Sequence, residues 1–236
     1  MPDPVVTDPV IQVRGLRYTY DDGTVALNGI DFDLYPGETV ALLGANGSGK
    51  TTFVLHLNGL LHGSDSVVVC GLPVIAANLP EVRRKVGVVF QDSDEQLFMP
   101  TVLEDVAFGP LNLGLSPEEA VARARKSLEQ AGIASALHKS PYHLSAGEKR
   151  RVAIAGVLAM VPDILVLDEP TTYLDPPGQR ELLALLRQLP QAKIVVTHDM
   201  QFARAIASRA VFFEKGKIAA TGTVDELVSR FHWRSE

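Results

Sequence analysis

The sequence has little cysteine, no long apolar run and no excess of positive charge. A single cysteine, Cys70, rules out an internal disulfide and fits a reducing compartment. The nearest approach to a long apolar run, 152–161, is far shorter than the roughly 18 residues that a membrane-spanning helix needs. With 22 Lys and Arg against 28 Asp and Glu, the net charge is -6, which argues against a nucleic-acid-binding surface. We therefore expect a soluble chain that reaches a membrane only through a partner.

Heptads and internal repeats are also absent, and the hydrophobic share of 46% is ordinary for a globular protein. Two strands with alternating apolar residues come first, and apolar runs typical of buried strands follow. In the middle of the chain the pattern changes to helices. The 236 residues thus predict a single α/β domain. Within 1–236 we expect a core with an N-terminal antiparallel β-subdomain, at about 10–91 and 162–236, and an inserted α-helical subdomain at about 92–161.

Three helices are predicted in the insertion. The first covers 101–108, because Gly109-Pro110 then interrupts the helical pattern. A capping box at Ser116 opens the second helix, and the third spans about 146–160.

A glycine-rich segment follows the apolar run 39–43, and its spacing is G-x-x-x-x-G-K-T. Glycines let backbone N–H groups face an anion, and the positive end of the following helix points to the same place. In such a loop Lys50 contacts the β- and γ-phosphates, and the Thr51 hydroxyl binds Mg²⁺. The segment therefore predicts an ATP-type triphosphate site formed by Gly44, Ala45, Asn46, Gly47, Ser48, Gly49, Lys50, Thr51 and Thr52.

Three further apolar strands end in polar residues, which are Gln91, the pair Asp168-Glu169, and His198. Because the carboxyl ends of parallel strands meet at one edge of a sheet, we expect these side chains to surround one triphosphate. Asp168 and Gln91 offer oxygen ligands to Mg²⁺, and Glu169 is placed to orient or deprotonate the attacking water. His198 is a candidate for a hydrogen bond to the γ-phosphate, although a lone histidine after a strand is more often structural.

The segment 144–148, Leu-Ser-Ala-Gly-Glu, permits two interpretations. Ser145 and Glu148 form the S-x-x-E capping box of a helix. A helix N-terminus with a serine hydroxyl is also an anion site. Since Lys50 already serves one side of a phosphate, this second site would bind a γ-phosphate that is held by another subunit.

In their order along the chain, these elements resemble the ATPase subunit of ABC transporters, and the match covers nearly the whole chain. Segments 90–98 and 106–110 make the chain more similar to the A-component of energy-coupling-factor importers, the group that includes the cobalt ATPase CbiO and relatives for nickel and biotin. The resemblance implies a P-loop NTPase fold with a RecA-like core. It also implies an ATPase that energises the import of a micronutrient.

The same resemblance implies a head-to-tail dimer with two ATP molecules bound between its subunits. Tyr20, which matches better than the nearby Tyr18, then stacks on the base. Glu169 is the catalytic base, and Gln91 and His198 act beside it. A transmembrane T-component docks near the Gln91 loop at the cytoplasmic face of the membrane, a further membrane component binds the solute, and no nucleic acid is bound. The residues that would contact the partner's ATP are Ser145, Ala146, Gly147, Glu148 and Asp175.

Ala146 stands where the family usually has glycine and Glu148 where glutamine is common, and we expect activity to survive both changes. Tyr173 replaces a small residue, for which we have no account. Cobalt is the first choice of solute, with nickel and biotin as alternatives, and both a homodimer and a pair with a homologous A-component remain open. A soluble ABC ATPase acting on nucleic acid or ribosomes and a small-molecule kinase are the alternatives from other classes.

Overall fold

The computed structural model describes residues 8–61 and 66–233. Within these two ranges no helix is both long and apolar enough to cross a membrane. The strands are β1 (Ile11–Thr19), β2 (Val25–Leu34), β3 (Thr39–Leu43), β4 (Val67–Val69), β5 (Leu72–Pro73), β6 (Val86–Val89), β7 (Ile164–Asp168), β8 (Ala192–Val196), β9 (Arg209–Glu214) and β10 (Lys217–Gly222). The α-helices are α1 (Lys50–Leu57), α2 (Leu79–Lys85), α3 (Val102–Asn112), α4 (Pro117–Gln130), α5 (Ala146–Leu158), α6 (Pro176–Gln188), α7 (Met200–Ile206) and α8 (Val224–Arg230).

A six-stranded sheet with the order β10-β9-β3-β8-β7-β6 forms the core. All of its neighbouring pairs are parallel except β10 with β9. The strands β3, β6 and β8 are buried along their whole length, as expected for parallel strands covered on both faces. The predicted α/β class with a P-loop core is therefore confirmed.

A second sheet is antiparallel, with the order β2-β1-β4-β5, as predicted for the N-terminal part of the chain. Helix α1 packs between the two sheets through Phe53, which is fully buried. The Phe53 ring lies 5.3 Å from Phe32 of β2 and 5.4 Å from Phe213 of β9, measured between ring centroids. This packing fixes the helix that begins at the phosphate loop.

Helices α3, α4 and α5 lie in the sequence between β6 and β7, and each begins with a capping box. The predicted end of the first helix at Gly109-Pro110 is wrong, because α3 continues to Asn112. A proline so close to the helix end removes one helical hydrogen bond. The N–H of Leu113 donates to the Gly109 carbonyl at 3.1 Å, so the helical bonding resumes after the proline. The division of the chain into subdomains stays a prediction.

Candidate functional site

The loop of residues 44–49 joins the end of β3 to the start of α1, and two of its glycines are required by the backbone. Gly44 has a φ of 133° and Gly49 a φ of 106°, both in the region that favours glycine. A Cβ on Gly44 would lie 2.3 Å from the Phe213 carbonyl oxygen, and a Cβ on Gly49 would lie 2.6 Å from that of Ala26. The loop is therefore packed closely against β2 and the β9–β10 hairpin.

Lys50 lies inside this loop and is only 8% exposed. Its Nζ donates hydrogen bonds to the carbonyl oxygens of Gly44 at 2.6 Å and Ala45 at 2.9 Å. Burial lowers the pKa of Lys50, and the nearby Glu169 and Asp168 carboxylates oppose that shift. A positive charge thus stands at the N-terminus of α1, where the helix dipole also favours an anion.

A cavity of about 380 Å³ opens beside the loop and collects residues from the carboxyl ends of several strands. Gln91 reaches it from beyond β6, and Asp168 and Glu169 reach it from the end of β7. The strands are parallel here, so their carboxyl ends meet at the same edge of the sheet. The predicted site residues that line the cavity are Tyr20, Asn46, Gly47, Gly49, Lys50, Thr51, Thr52, Gln91, Asp168 and Glu169.

Asp168 and Glu169 are adjacent carboxylates in different environments. Burial, helped by the negative charge of Glu169, raises the pKa of Asp168 to about 6. Glu169 has a φ of 44°, a left-handed conformation that is uncommon for a residue other than glycine and is often found at functional sites. Its Oε2 lies 2.9 Å from Nδ1 of His198 and accepts a 3.3 Å hydrogen bond from the His198 backbone N–H. His198 is therefore connected to the cavity through its contact with Glu169.

Tyr20, and not Tyr18, lines the cavity. Its hydroxyl lies 2.9 Å from the Thr52 hydroxyl, and 38% of the residue is exposed. Tyr18 is half-buried behind it, with its ring edge-on to the Tyr20 ring at 5.0 Å and to the His56 ring at 4.8 Å. The Tyr18 ring thus packs against one side of Tyr20, and part of the Tyr20 side chain stays accessible.

The donor set in the cavity suits Mg²⁺, which takes oxygen ligands and shares them with phosphates. Thr51 offers a hydroxyl, Gln91 an amide oxygen and Asp168 a carboxylate. Burial, with a smaller contribution from the Glu169 charge, raises the pKa of Asp168, and a cation bound beside it would favour the ionised carboxylate. In residues 8–61 and 66–233 no group of three or more His, Cys, Asp or Glu is arranged to hold a metal.

The segment 145–148 and Asp175 lie outside this cavity, at the N-termini of two other helices. The Ser145 hydroxyl accepts the Glu148 N–H at 3.3 Å, and the Glu148 carboxylate accepts the Ser145 N–H at 2.8 Å, so the predicted capping box is present. These hydrogen bonds lower the pKa of Glu148. Asp175 accepts the Gly178 N–H at 2.9 Å as the N-cap of α6. Both Ser145 and Asp175 are exposed, together with Ala146.

Sequence reasoning missed Arg150, which is only 2% exposed and donates to the carbonyl oxygens of Phe90 and Gln91. Arg150 precedes Ala153, Ile154 and Val157 at helical spacing, and all three are buried. That spacing was available as a sign that the arginine faces inward. Other residues that line the cavity were also missed; these are Thr24, Val25, Ala26 and Val196.

Comparison with known proteins gives consistent matches along the chain. The ABC transporter family model matches residues 27–172. A putative ABC transporter ATP-binding protein from Geobacter sulfurreducens is 53% identical, over 92% of this chain and 88% of that protein. The energy-coupling factor transporter ATP-binding protein EcfA from Methanococcus maripaludis is 47% identical, over 93% and 81%. The structure of cbiO1 from Clostridium perfringens, described as part of the ABC transporter complex cbiONQ, has a TM-score of 0.85 and 37% identity, over 95% and 92%.

Proposed function

Because this chain belongs to the ABC transporter family of ATP-binding subunits, with relatives of the energy-coupling-factor type, we propose that it hydrolyses ATP to drive a cobalt importer. Its ATPase role follows from the family. Segments 90–98 and 106–110 resemble the group that includes the cobalt ATPase CbiO, and cobalt is the first choice within that group. Nickel and biotin are the alternatives, because this subunit does not contact the solute. The chain then works at the cytoplasmic face of the membrane, bound to membrane partners.

The observation that carries the proposal is the meeting of Lys50 with Asp168 and Glu169 in one cavity. The loop N–H groups and Lys50 bind the phosphates, and the Tyr20 ring stacks on the base. Glu169, oriented by His198, accepts a proton from the attacking water. When Mg²⁺ is bound by Thr51, Gln91 and Asp168, it neutralises charge on the transferring phosphoryl group.

The second half of each ATP site comes from another subunit. The cavity that holds Lys50 is not lined by Ser145, Gly147 or Asp175. Ser145 nevertheless stands at a helix N-terminus, and a helix N-terminus with a serine hydroxyl is suited to bind a phosphate. A head-to-tail pair of subunits brings such a helix over the phosphate loop of its neighbour. Ala146 and Glu148 belong to the same contact, and the pair is either two copies of this chain or one copy with a homologous A-component.

A groove of about 320 Å³ between the helical insertion and the core is the surface that we assign to the T-component. Its exposed aromatic residues are Phe98, which is 56% exposed, and Phe108, which is 38% exposed, and their rings meet edge-on at 5.0 Å. Large exposed apolar side chains that line one groove are typical of protein interfaces. Leu97 and Gln96, which follow Gln91 in the chain, also line this groove. A partner helix bound there would therefore lie close to the segment that enters the ATP site.

Mixing two inactive variants tests the shared site. Lys50→Ala removes the lysine that binds the phosphates, and Ser145→Arg places a bulky side chain against the γ-phosphate bound by the neighbouring subunit. In a 1:1 mixture, about half of the dimers are mixed and each regains one intact site, so about a quarter of the wild-type sites should return. The control mixture pairs Lys50→Ala with the double variant, which leaves no intact site. No recovery of hydrolysis in the first mixture contradicts the composite site.

Transport is tested in cells that lack the gene. Wild-type protein should restore uptake of radioactive cobalt, whereas Glu169→Gln should not, although it is made at the same level. Uptake of nickel or biotin, and not of cobalt, identifies the alternative solute. Isolation of the wild-type protein with nucleic acid or ribosomes, and without a membrane protein, would contradict the transport role.

A further inference from the structure

Arg150 is a buried cation that binds only backbone carbonyls in the described part of the chain. It lies in α5 and is 2% exposed. Its Nη1 donates to the Phe90 carbonyl oxygen and its Nη2 to the Gln91 carbonyl oxygen, both at 2.6 Å. The two prongs of one guanidinium therefore hold two successive peptide groups at the point where the chain leaves β6 for the ATP cavity.

Such a charge is costly to bury, which makes a purely stabilising role a poor explanation. Burial lowers the pKa of Arg150, and only the longer-range attraction of Asp92 and Asp168 opposes the shift. In residues 8–61 and 66–233 no carboxylate forms an ion pair with its guanidinium, and its Nε has no hydrogen-bond partner. A buried charge without a close opposite charge stabilises a fold poorly. What the arginine provides is a fixed position for Phe90 and Gln91.

A second contact joins the same helix to the same loop. Lys149, which precedes Arg150, forms an ion pair with Asp94 at 2.5 Å. The loop is also ordered internally, because the Asp94 N–H donates to Asp92 Oδ1 at 2.8 Å and the Leu97 N–H donates to the Ser93 carbonyl oxygen at 3.1 Å. Residues 90–97 are thus attached to the first turns of α5 at two points.

We propose that Arg150 is a positioning residue that couples Gln91 to the helix beginning at Ser145. The inference rests on the proposed function, in which Gln91 acts in the chain's own ATP site and Ser145 contacts the ATP of the partner. Arg150 lies five positions after Ser145 along the helix, which is a rise of about 7.5 Å. If α5 shifts when Ser145 contacts the ATP of the partner subunit, Arg150 moves the Gln91 backbone with it. Nucleotide binding at the partner's site therefore changes the geometry of the chain's own ATP site.

The geometry requires arginine and not simply a cation. A guanidinium is a planar fork with several N–H donors, so it binds two neighbouring oxygen atoms in a fixed direction. The ammonium group of a lysine is a single point charge on a flexible stem, and a glutamine amide has one NH₂ group. Arg150→Lys is therefore expected to keep part of the effect, and Arg150→Gln very little of it.

Lys193 supplies a matched control. It is 4% exposed, and its Nζ donates to two backbone carbonyls, of Leu189 at 2.6 Å and Gln191 at 2.7 Å. It lies near the start of β8, at the end of the sheet opposite the strand ends that line the ATP cavity. Lys193→Gln therefore removes the same kind of contact from the same kind of environment, without touching the Gln91 loop.

The first measurement is hydrogen exchange of the nucleotide-free protein. In Arg150→Gln, amides of the segment 90–97 should exchange at least about tenfold faster, while those of the phosphate loop 44–52 do not change. Arg150→Lys should fall between wild type and Arg150→Gln, and Lys193→Gln should match wild type in both segments. Unchanged exchange of 90–97 in folded Arg150→Gln, or equal changes in Lys193→Gln, overturns the proposal.

The second measurement is steady-state hydrolysis with a double variant. Arg150→Gln should lower kcat by about 10- to 100-fold with KM for ATP nearly unchanged, because a displaced group affects the reacting geometry more than binding. In a Gln91→Ala background the same substitution should have almost no further effect on kcat, since Arg150 acts through Gln91. Additive effects overturn the proposal. If Gln91→Ala alone leaves kcat unchanged, the proposed role of Gln91 fails, whereas the exchange result still decides whether Arg150 positions the loop.

Discussion

Replacing Asp168 with asparagine should stabilise the nucleotide-free protein above neutral pH. Asp168 has a pKa of about 6 in the folded chain against an ordinary value of 3.8. The folded state therefore favours the protonated carboxyl, and ionisation opposes folding. This penalty is absent below pH 3.8, grows as the pH rises to about 6, and is complete above that. An asparagine side chain has nearly the same size and stays neutral at every pH, so Asp168→Asn removes the penalty.

The size of the effect follows from the difference between the two pKa values. A shift from 3.8 to about 6 corresponds to about 3 kcal/mol at about 1.4 kcal/mol per pH unit. That shift already includes the attraction of Lys50 and Arg150 for the carboxylate. Because Asp168 is partly accessible to solvent, screening reduces the expected gain to about 2 kcal/mol at pH 8 and to about 1 kcal/mol at pH 5. For a chain of this length, 2 kcal/mol is a rise in Tm of about 5 °C.

Urea denaturation of wild type and Asp168→Asn, without nucleotide, at pH 5 and pH 8 measures the gain. Asp163→Asn is the matched control, since Asp163 precedes the same strand, is about half exposed and pairs with Lys85 at 2.9 Å. Its loss should stay below about 1 kcal/mol at both pH values. A variant Asp168→Asn that is less stable than wild type at pH 8, or equally stabilised at pH 5 and pH 8, refutes the reasoning.

Three further predictions concern the same cavity. Glu169→Gln should lower kcat by at least about 100-fold while ATP affinity stays within about threefold, because it removes the proton acceptor and keeps the shape of the side chain. Turnover and equilibrium binding are measured on one preparation, and undiminished hydrolysis contradicts the assignment of Glu169 as the catalytic base. Gly49→Ala should cost several kcal/mol in urea denaturation and abolish ATP binding, since its Cβ would lie 2.6 Å from the Ala26 carbonyl oxygen at a φ of 106°. Tyr20→Ala should weaken ATP binding about tenfold by fluorescent-nucleotide titration, whereas Tyr20→Phe, which loses only the contact with Thr52, should stay near wild type.

Local chemistry explains why much of the fold was predictable. The phosphate loop needs glycines at positive φ next to a strand and a helix, and all three features are contiguous in the sequence. The capping boxes at Ser116 and Ser145 are also four-residue patterns, and both are present in the structure. The end of α3 was misjudged because a proline near a helix terminus costs little when the next N–H, that of Leu113, still reaches the Gly109 carbonyl.

The assignment of the site residues combines local sequence motifs with the expected meeting of strand ends that are distant in the sequence. Gln91, Asp168 and Glu169 were predicted to share one site because parallel strands end at one sheet edge, and they line the same cavity. That argument gives no distances, so the contact between His198 and Glu169 and the raised pKa of Asp168 were beyond it. Their chemical roles stay predictions until the variants are measured.

By itself the sequence predicted the class of the fold and the phosphate loop from residues that are neighbours in the chain, and the family from the order of such motifs along nearly the whole chain. Only the tertiary structure decided that Arg150 holds Phe90 and Gln91, which lie 60 and 59 residues away, and that the His198 ring lies beside the Glu169 carboxylate. The physical reason is the distance along the sequence between the residues that interact. Turn, cap and periodicity patterns report local backbone preferences, whereas the partner of a buried polar group is set by the packing of distant segments.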